Sequence, residues 1–152
     1  YEIMPRLVGS EMCIRDSIKG AMEHGRKVGF QDMKPFDLAV VGCVAASRNG
    51  GRTGKGGGFA DLEMGIFREM GLVNADTPIV TTIHSLQIKE DELIIMDVHD
   101  TPLDWIITPD EVIETQTLIA QPEGVNWDTI QSDQYENIPF LLTLKATLLG
   151  KK

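Results

Sequence analysis

Residues 47–58 read SRNGGRTGKGGG and run straight into FADLEMGIFREMG. Gly50, Gly51, Gly54, Gly56, Gly57 and Gly58 permit backbone turns closed to other residues, and Arg52 and Lys55 add positive charge. The apolar residues that follow, Phe59, Leu62, Ile66 and Met70, are spaced as one face of a helix. A glycine-rich loop that ends at a helix N-terminus presents free N–H groups and the positive end of the helix dipole, the ingredients of a phosphate site. It is not a Walker loop, because Lys55 is followed by Gly56 rather than Ser or Thr. It also departs from G-x-G-x-x-G, because residue 59 is Phe. The plainer alternative is a flexible linker, which seldom joins a buried strand directly to an amphipathic helix.

Acidic residues come next. Asp61 lies in the first turn of that helix, where it either stabilises the dipole or serves as a Mg²⁺ ligand beside a bound polyphosphate. Asp97, His99, Asp100 and Asp104 precede an apolar stretch, and by themselves read as an ordinary Asp/Pro turn. His84 and His99 have no spacing that demands proton transfer and read as structural. Cys43 sits inside an apolar run and reads as an inert buried thiol.

Positioning these groups requires a scaffold. FDLAVVGCVAA, residues 36–46, is continuously apolar and reads as one buried parallel-type strand. Residues 47–58 read as loop throughout. PIVTTIH (78–84) and DWIIT (104–108) are further strands, with Thr108 expected to cap a helix that has Pro109 at its first position. Gly71 should stop the first helix. WDTIQSDQYENI and PFLLTLKATLL read as two closing helices separated at Pro139. Strands joined through loops and helices predict right-handed crossovers and a mostly parallel sheet covered by helices.

The chain has 152 residues and a formal net charge of −9. Its first 17 residues have no clear period and contain Cys13, and they back-translate to a run resembling a sequencing-library adapter. Residues 1–17 are therefore expected to be non-native, and residues 18–152 to be the C-terminal part of a single, N-terminally truncated domain. Setting aside Arg6, Arg15, Glu2, Glu11 and Asp16 leaves a charge of −8. That charge disfavours nucleic acid as a partner. With Cys43 alone remaining, no disulfide framework forms within the chain. No apolar run approaches the roughly 20 residues of a membrane span, so a soluble cytoplasmic protein with no membrane partner is expected.

GGRTGKGGGFADLE, TPIVTTIHSLQI, HDTPLDWIITPDEVI and GVNWDTIQSDQYENIPFLLTL together resemble the 5-formyltetrahydrofolate cyclo-ligase family, and most closely its methenyltetrahydrofolate synthetase domain-containing branch. The resemblance implies a three-layer α/β sandwich related to ribose-phosphate isomerases and CoA transferases. It implies ATP and Mg²⁺ as cofactors and a reduced folate as the small-molecule substrate. The formyl oxygen of 5-formyltetrahydrofolate is phosphorylated, the nitrogen at position ten attacks the activated carbon, and phosphate leaves as the ring closes to 5,10-methenyltetrahydrofolate. By position, the ATP-phosphate loop falls on Arg52, Gly54, Lys55, Gly56, Gly57 and Gly58, with Arg52 and Lys55 as the catalytic cations. The metal aspartates fall on Asp61 and Asp100, and the folate contacts on Phe59 and Ala60. The family's enzymes typically carry two tyrosines at those last positions. A non-catalytic nucleotide-binding or regulatory module of the same fold is the alternative that Ala60 keeps open.

Overall fold

The computed structural model describes residues 18–26 and 28–149. The expectation for residues 1–17 lies outside the described residues. The chain divides into two compact units, one ending at Met33 and the other beginning at Lys34. In the first, helix α1 (Ile18–His24) carries an exposed Lys19–Glu23 pair one turn apart, and a 3-10 turn follows at Phe30–Asp32.

The second unit contains the elements that shape the glycine loop. In chain order they are β1 (Ala39–Val40), β2 (Ala45–Ser47), β3 (Arg52–Thr53), α2 (Phe59–Glu69), β4 (Ile79–Thr82), β5 (Ile88–Lys89), β6 (Trp105–Ile107), β7 (Val112–Glu114), α3 (Ser132–Asn137) and α4 (Phe140–Leu149). They form two sheets in a mixed α/β arrangement. One sheet has the order β1-β4-β6-β7, with β1, β4 and β6 parallel and β7 antiparallel. The other has the order β3-β2-β5, with β2 and β5 parallel and β3 antiparallel to β2.

Residues 36–46 do not form one strand. They split between the two sheets. The Val41 N–H still donates to Val80 O of β4 (2.8 Å), whereas the Val44 N–H already donates to Thr53 O of β3 (2.8 Å). An unbroken apolar run conceals this crossing, because each half is buried against a different neighbour. Among the described residues β1 is also an edge strand: Ala39 is buried, while Val40 remains 63% exposed.

Residues 47–58 are likewise not all loop. The Asn49-Gly50 pair turns β2 back into β3, a hairpin signal in its own right. Asn49 Oδ1 accepts from the Gly51 N–H (3.0 Å) and the Ser47 hydroxyl (2.7 Å). Gly50 has φ +94°, and its carbonyl accepts from the Leu103 N–H at 2.8 Å. Only residues 54–58 remain irregular. Thr108 caps no helix either. Its hydroxyl accepts from the Asp110 and Glu111 N–H groups (3.2 and 3.0 Å), and that turn sends the chain into β7. The β-branched Val112 and Ile113 extend beside β6, and Ile113 enters the core.

The core contains Ile79, Leu103 and Ile106, none of them solvent-accessible, and Met64 of α2 packs among them. Phe67 of α2 meets Phe36 edge-on, with ring centroids 5.0 Å apart. Gly71 ends α2 with φ +68°, as expected. The second closing helix forms at Phe140–Leu149, close to its expected place, whereas the first is confined to Ser132–Asn137 and residues 127–131, expected to begin it, are not helical.

This packing makes the hairpin turn a point of rigidity. A Cβ on Gly50 would lie 2.6 Å from the Leu103 carbonyl oxygen, in a backbone region L-residues rarely adopt. Gly50→Ala is expected to cost at least ~2 kcal/mol of unfolding free energy, measured by urea denaturation.

Candidate functional site

β3 delivers Arg52 and Thr53, residues 54–58 turn the chain, and α2 starts at Phe59. The turn depends on Gly58, whose φ of 63° and ψ of 6° place it in the left-handed region immediately before the helix. The Gly58 carbonyl accepts the Leu62 N–H at 3.0 Å. The N–H groups that begin the helix have no partner within it. Among the described residues no side-chain hydrogen bond caps this end, and Gly58, Phe59, Ala60 and Asp61 all line a cleft of about 610 Å³.

Most of the residues singled out in the sequence meet there. Lys55 is exposed at the cleft beside Gly54, Gly56 and Gly57, and Asp100 lines it as well. A Cβ at Gly54 would meet nothing within 4 Å, and its φ is not in the left-handed region, so the chain itself does not exclude a side chain at this position. Open space of that kind beside N–H donors and a lysine suits an incoming anion.

Arg52 also borders the cleft, but its side chain is only 2% exposed. Its Nη2 donates to Asp61 Oδ1, and its Nε donates to the Thr101 carbonyl at 2.9 Å. The Thr101 N–H in turn donates to Asp61 Oδ1 at 2.8 Å. Asp61 is therefore more than a dipole residue: it ties the first turn of α2 to β3 and to the chain after Asp100. Asp61 Oδ2 has no hydrogen bond among the described residues.

Asp100 closes a tight turn. Its N–H donates to the Asp97 carbonyl (3.0 Å), and its Oδ2 accepts from the Asp97 N–H (2.8 Å). The turn expected for this segment thus exists, and it also presents Asp100 to the cleft. His99 Nε2 lies 3.7 Å from Asp100 Oδ1. His84 serves a structural purpose, its Nδ1 accepting the Leu86 N–H at the start of a 3-10 turn.

The donor set suits a hard cation held jointly with a ligand. Among the described residues, no three His, Cys, Asp or Glu side chains gather as a complete metal cage. Mg²⁺ does not need one, since it binds through one or two carboxylates with phosphate oxygens and water completing its octahedron. Asp61 and Asp100 line the same cleft and are the carboxylates that could serve in this way.

Several contributors left no signal in the sequence. Thr101 acts through its backbone, which any residue carries. Gln134 of α3, 7% exposed, donates from Nε2 to the Gly57 carbonyl at 3.0 Å and so braces the glycine loop from a helix 77 residues away. It also lines a second cavity of about 220 Å³ that shares Gly56, Gly57, Gly58, Asp61 and His99 with the first. Cys43, expected inside a strand, lies in the crossing segment instead. It is half-buried on the cleft wall, with Sγ 3.3 Å from Thr81 Oγ1. Among the described residues, no helix is long and apolar enough to cross a membrane.

Comparison with known proteins gives this geometry a lineage. The 5-formyltetrahydrofolate cyclo-ligase family matches residues 12–109, a span that includes the glycine loop, Asp61 and Asp100. That span also takes in residues 12–17. The methenyltetrahydrofolate synthase domain-containing protein of Homo sapiens is 38% identical over 128 residues, covering 84% of this chain and 33% of that protein. Its counterpart in Danio rerio is 36% identical over 128 residues, covering 84% of this chain and 34% of that protein. The chain spans about a third of the length of these curated relatives. From the match over residues 12–109, the chain belongs to the 5-formyltetrahydrofolate cyclo-ligase family.

Proposed function

We propose that this chain is the ATP- and Mg²⁺-dependent catalytic part of a cyclo-ligase that converts 5-formyltetrahydrofolate, or a closely related reduced folate, to its methenyl form. The observation that carries this reading is the single cleft in which an open glycine loop, the start of α2, Lys55, Asp61 and Asp100 face one space. In this reading the fold is the family's three-layer α/β sandwich and the setting is the cytoplasm.

Each group has a physical task. N–H donors of residues 54–58 and the start of α2 hold a triphosphate, and Lys55 offsets its charge. Asp61 and Asp100 hold Mg²⁺, which when bound neutralises charge on the transferred phosphoryl group. Phe59 and Ala60 contact the folate from the helix side of the cleft. Such a reaction depends on positioning and charge neutralisation more than on proton shuttling.

One observation favours a second reading. Ala60 offers neither a ring to stack on a folate nor a hydroxyl to hydrogen-bond it, which suits a nucleotide-binding module without catalysis. Incubating the chain with 5-formyltetrahydrofolate, ATP and Mg²⁺ separates the two. The ligase releases one phosphate per methenyl product formed, whereas a module binds ATP and releases none.

Two substitutions refine the test. Asp100→Asn keeps an oxygen for the Asp97 N–H, so its unfolding free energy should change by less than about 1 kcal/mol, while Mg²⁺-dependent turnover falls by at least ~100-fold. Wild-type turnover in that variant would remove the metal role. Gly54→Ala should leave stability within about 0.5 kcal/mol and weaken ATP binding roughly 10-fold or more by filling the open space, as read by calorimetry.

A further inference from the structure

We propose that Arg52 is a positioning residue for the two cleft carboxylates and makes no contact with phosphate. This inference rests on the nucleotide and metal reading of the cleft and assigns a new role within it. Arg52 Nη2 and the Thr101 N–H both donate to Asp61 Oδ1, and Arg52 Nε donates to the Thr101 carbonyl. These three bonds close a ring between β3, the first turn of α2 and the segment carrying Asp100. Thr101 is covalently joined to Asp100, whose own carboxylate is fixed by the Asp97 turn. The guanidinium thus holds the Asp61 carboxylate directly and the Asp100 segment through the neighbouring Thr101 carbonyl.

The remaining observations agree with this role. The Arg52 side chain is almost wholly buried, and its backbone N–H is engaged with Met96 Sδ at 3.3 Å. The ring commits Nε and one Nη2 N–H, and with its side chain only 2% exposed the guanidinium offers an anion far less open surface than Lys55 does. Lys55, by contrast, is exposed at the cleft and available to an anion. Asp61 spends Oδ1 on the ring and retains Oδ2 for a cation. The charge of Arg52 also offsets that of Asp61, which lowers the repulsion Asp61 and Asp100 would feel when no metal is bound. A lysine at this position would keep the charge and lose the planar fork that holds Asp61 and Thr101 together.

The test compares the wild-type chain, Arg52→Lys and Lys55→Gln, each checked for folding by circular dichroism. ATP binding is measured calorimetrically in EDTA, and Mn²⁺ binding in the presence of ATP by electron paramagnetic resonance. Arg52→Lys should leave metal-free ATP binding within about 2-fold, and weaken Mn²⁺ binding by ~10-fold or more, the usual effect of losing a group that orients a metal ligand. Lys55→Gln should show the reverse emphasis, with metal-free ATP weakened by ~10-fold. Metal-free ATP binding that falls as far in Arg52→Lys as in Lys55→Gln would overturn the inference, as would unchanged Mn²⁺ binding. If Arg52→Lys does not fold, the charge-neutral pair Arg52→Met with Asp61→Asn takes its place. Near-wild-type ATP binding in EDTA by that variant supports the positioning role, and a ~10-fold loss overturns it. A wild-type chain that binds neither ATP nor Mn²⁺ is a distinct outcome: it removes the nucleotide reading itself, and this inference with it.

Discussion

The buried contact of Arg52 with Asp61 and Thr101 organises the site. Three segments distant in sequence meet in it: the second arm of a hairpin, the start of a helix and the turn ahead of β6. A buried ion pair is a weak source of net stability, because desolvating both charges offsets much of their attraction. It is a strong constraint on geometry, since leaving either partner unpaired costs about 3–5 kcal/mol. Here every bond of the pair is used to hold one helix turn against one loop. Sliding α2 along β3 would break that ring.

The glycine loop takes its character from the rigid elements on either side. Gly50 is fixed by packing, its carbonyl held by Leu103 and its α-hydrogen side pressed against that chain. Gly58 is fixed by the left-handed turn into α2. Gly54 answers to neither constraint and faces open space. The fold therefore requires glycine at positions 50 and 58, whereas the packing sets no such requirement at position 54. Gln134 adds a third support by holding the Gly57 carbonyl from α3. A loop anchored in this way can present its N–H groups to an anion with little loss of entropy on binding.

Ala60 bears on what the cleft accepts. It sits where the helix start meets the β1 side of the unit, and it leaves volume that an aromatic side chain would fill. A folate needs a stacking partner or hydrogen bonds for its ring system, and in this chain Phe59 is the aromatic residue at that point of the cleft.

Local patterns in the sequence determined the helix at residues 59–69, its stop at Gly71, the strands around 79–82 and 105–107, and the second closing helix. Each of these rests on periodicity or backbone chemistry carried by neighbouring residues. The residue types also marked the glycine loop, Lys55, Asp61 and Asp100 as candidates. Other features depended on which segments become neighbours. Residues 36–46 look like one strand, because an apolar run says that it is buried without saying against what. Thr108 looks like a helix cap, because the same hydroxyl–amide bonds that start a helix also close a turn into a strand. The partner of Arg52 was hidden for the same reason: a free guanidinium and a buried one are spelled alike. Only the tertiary structure brought Asp61 and the Thr101 backbone to it, since desolvation and pairing are properties of a residue's surroundings.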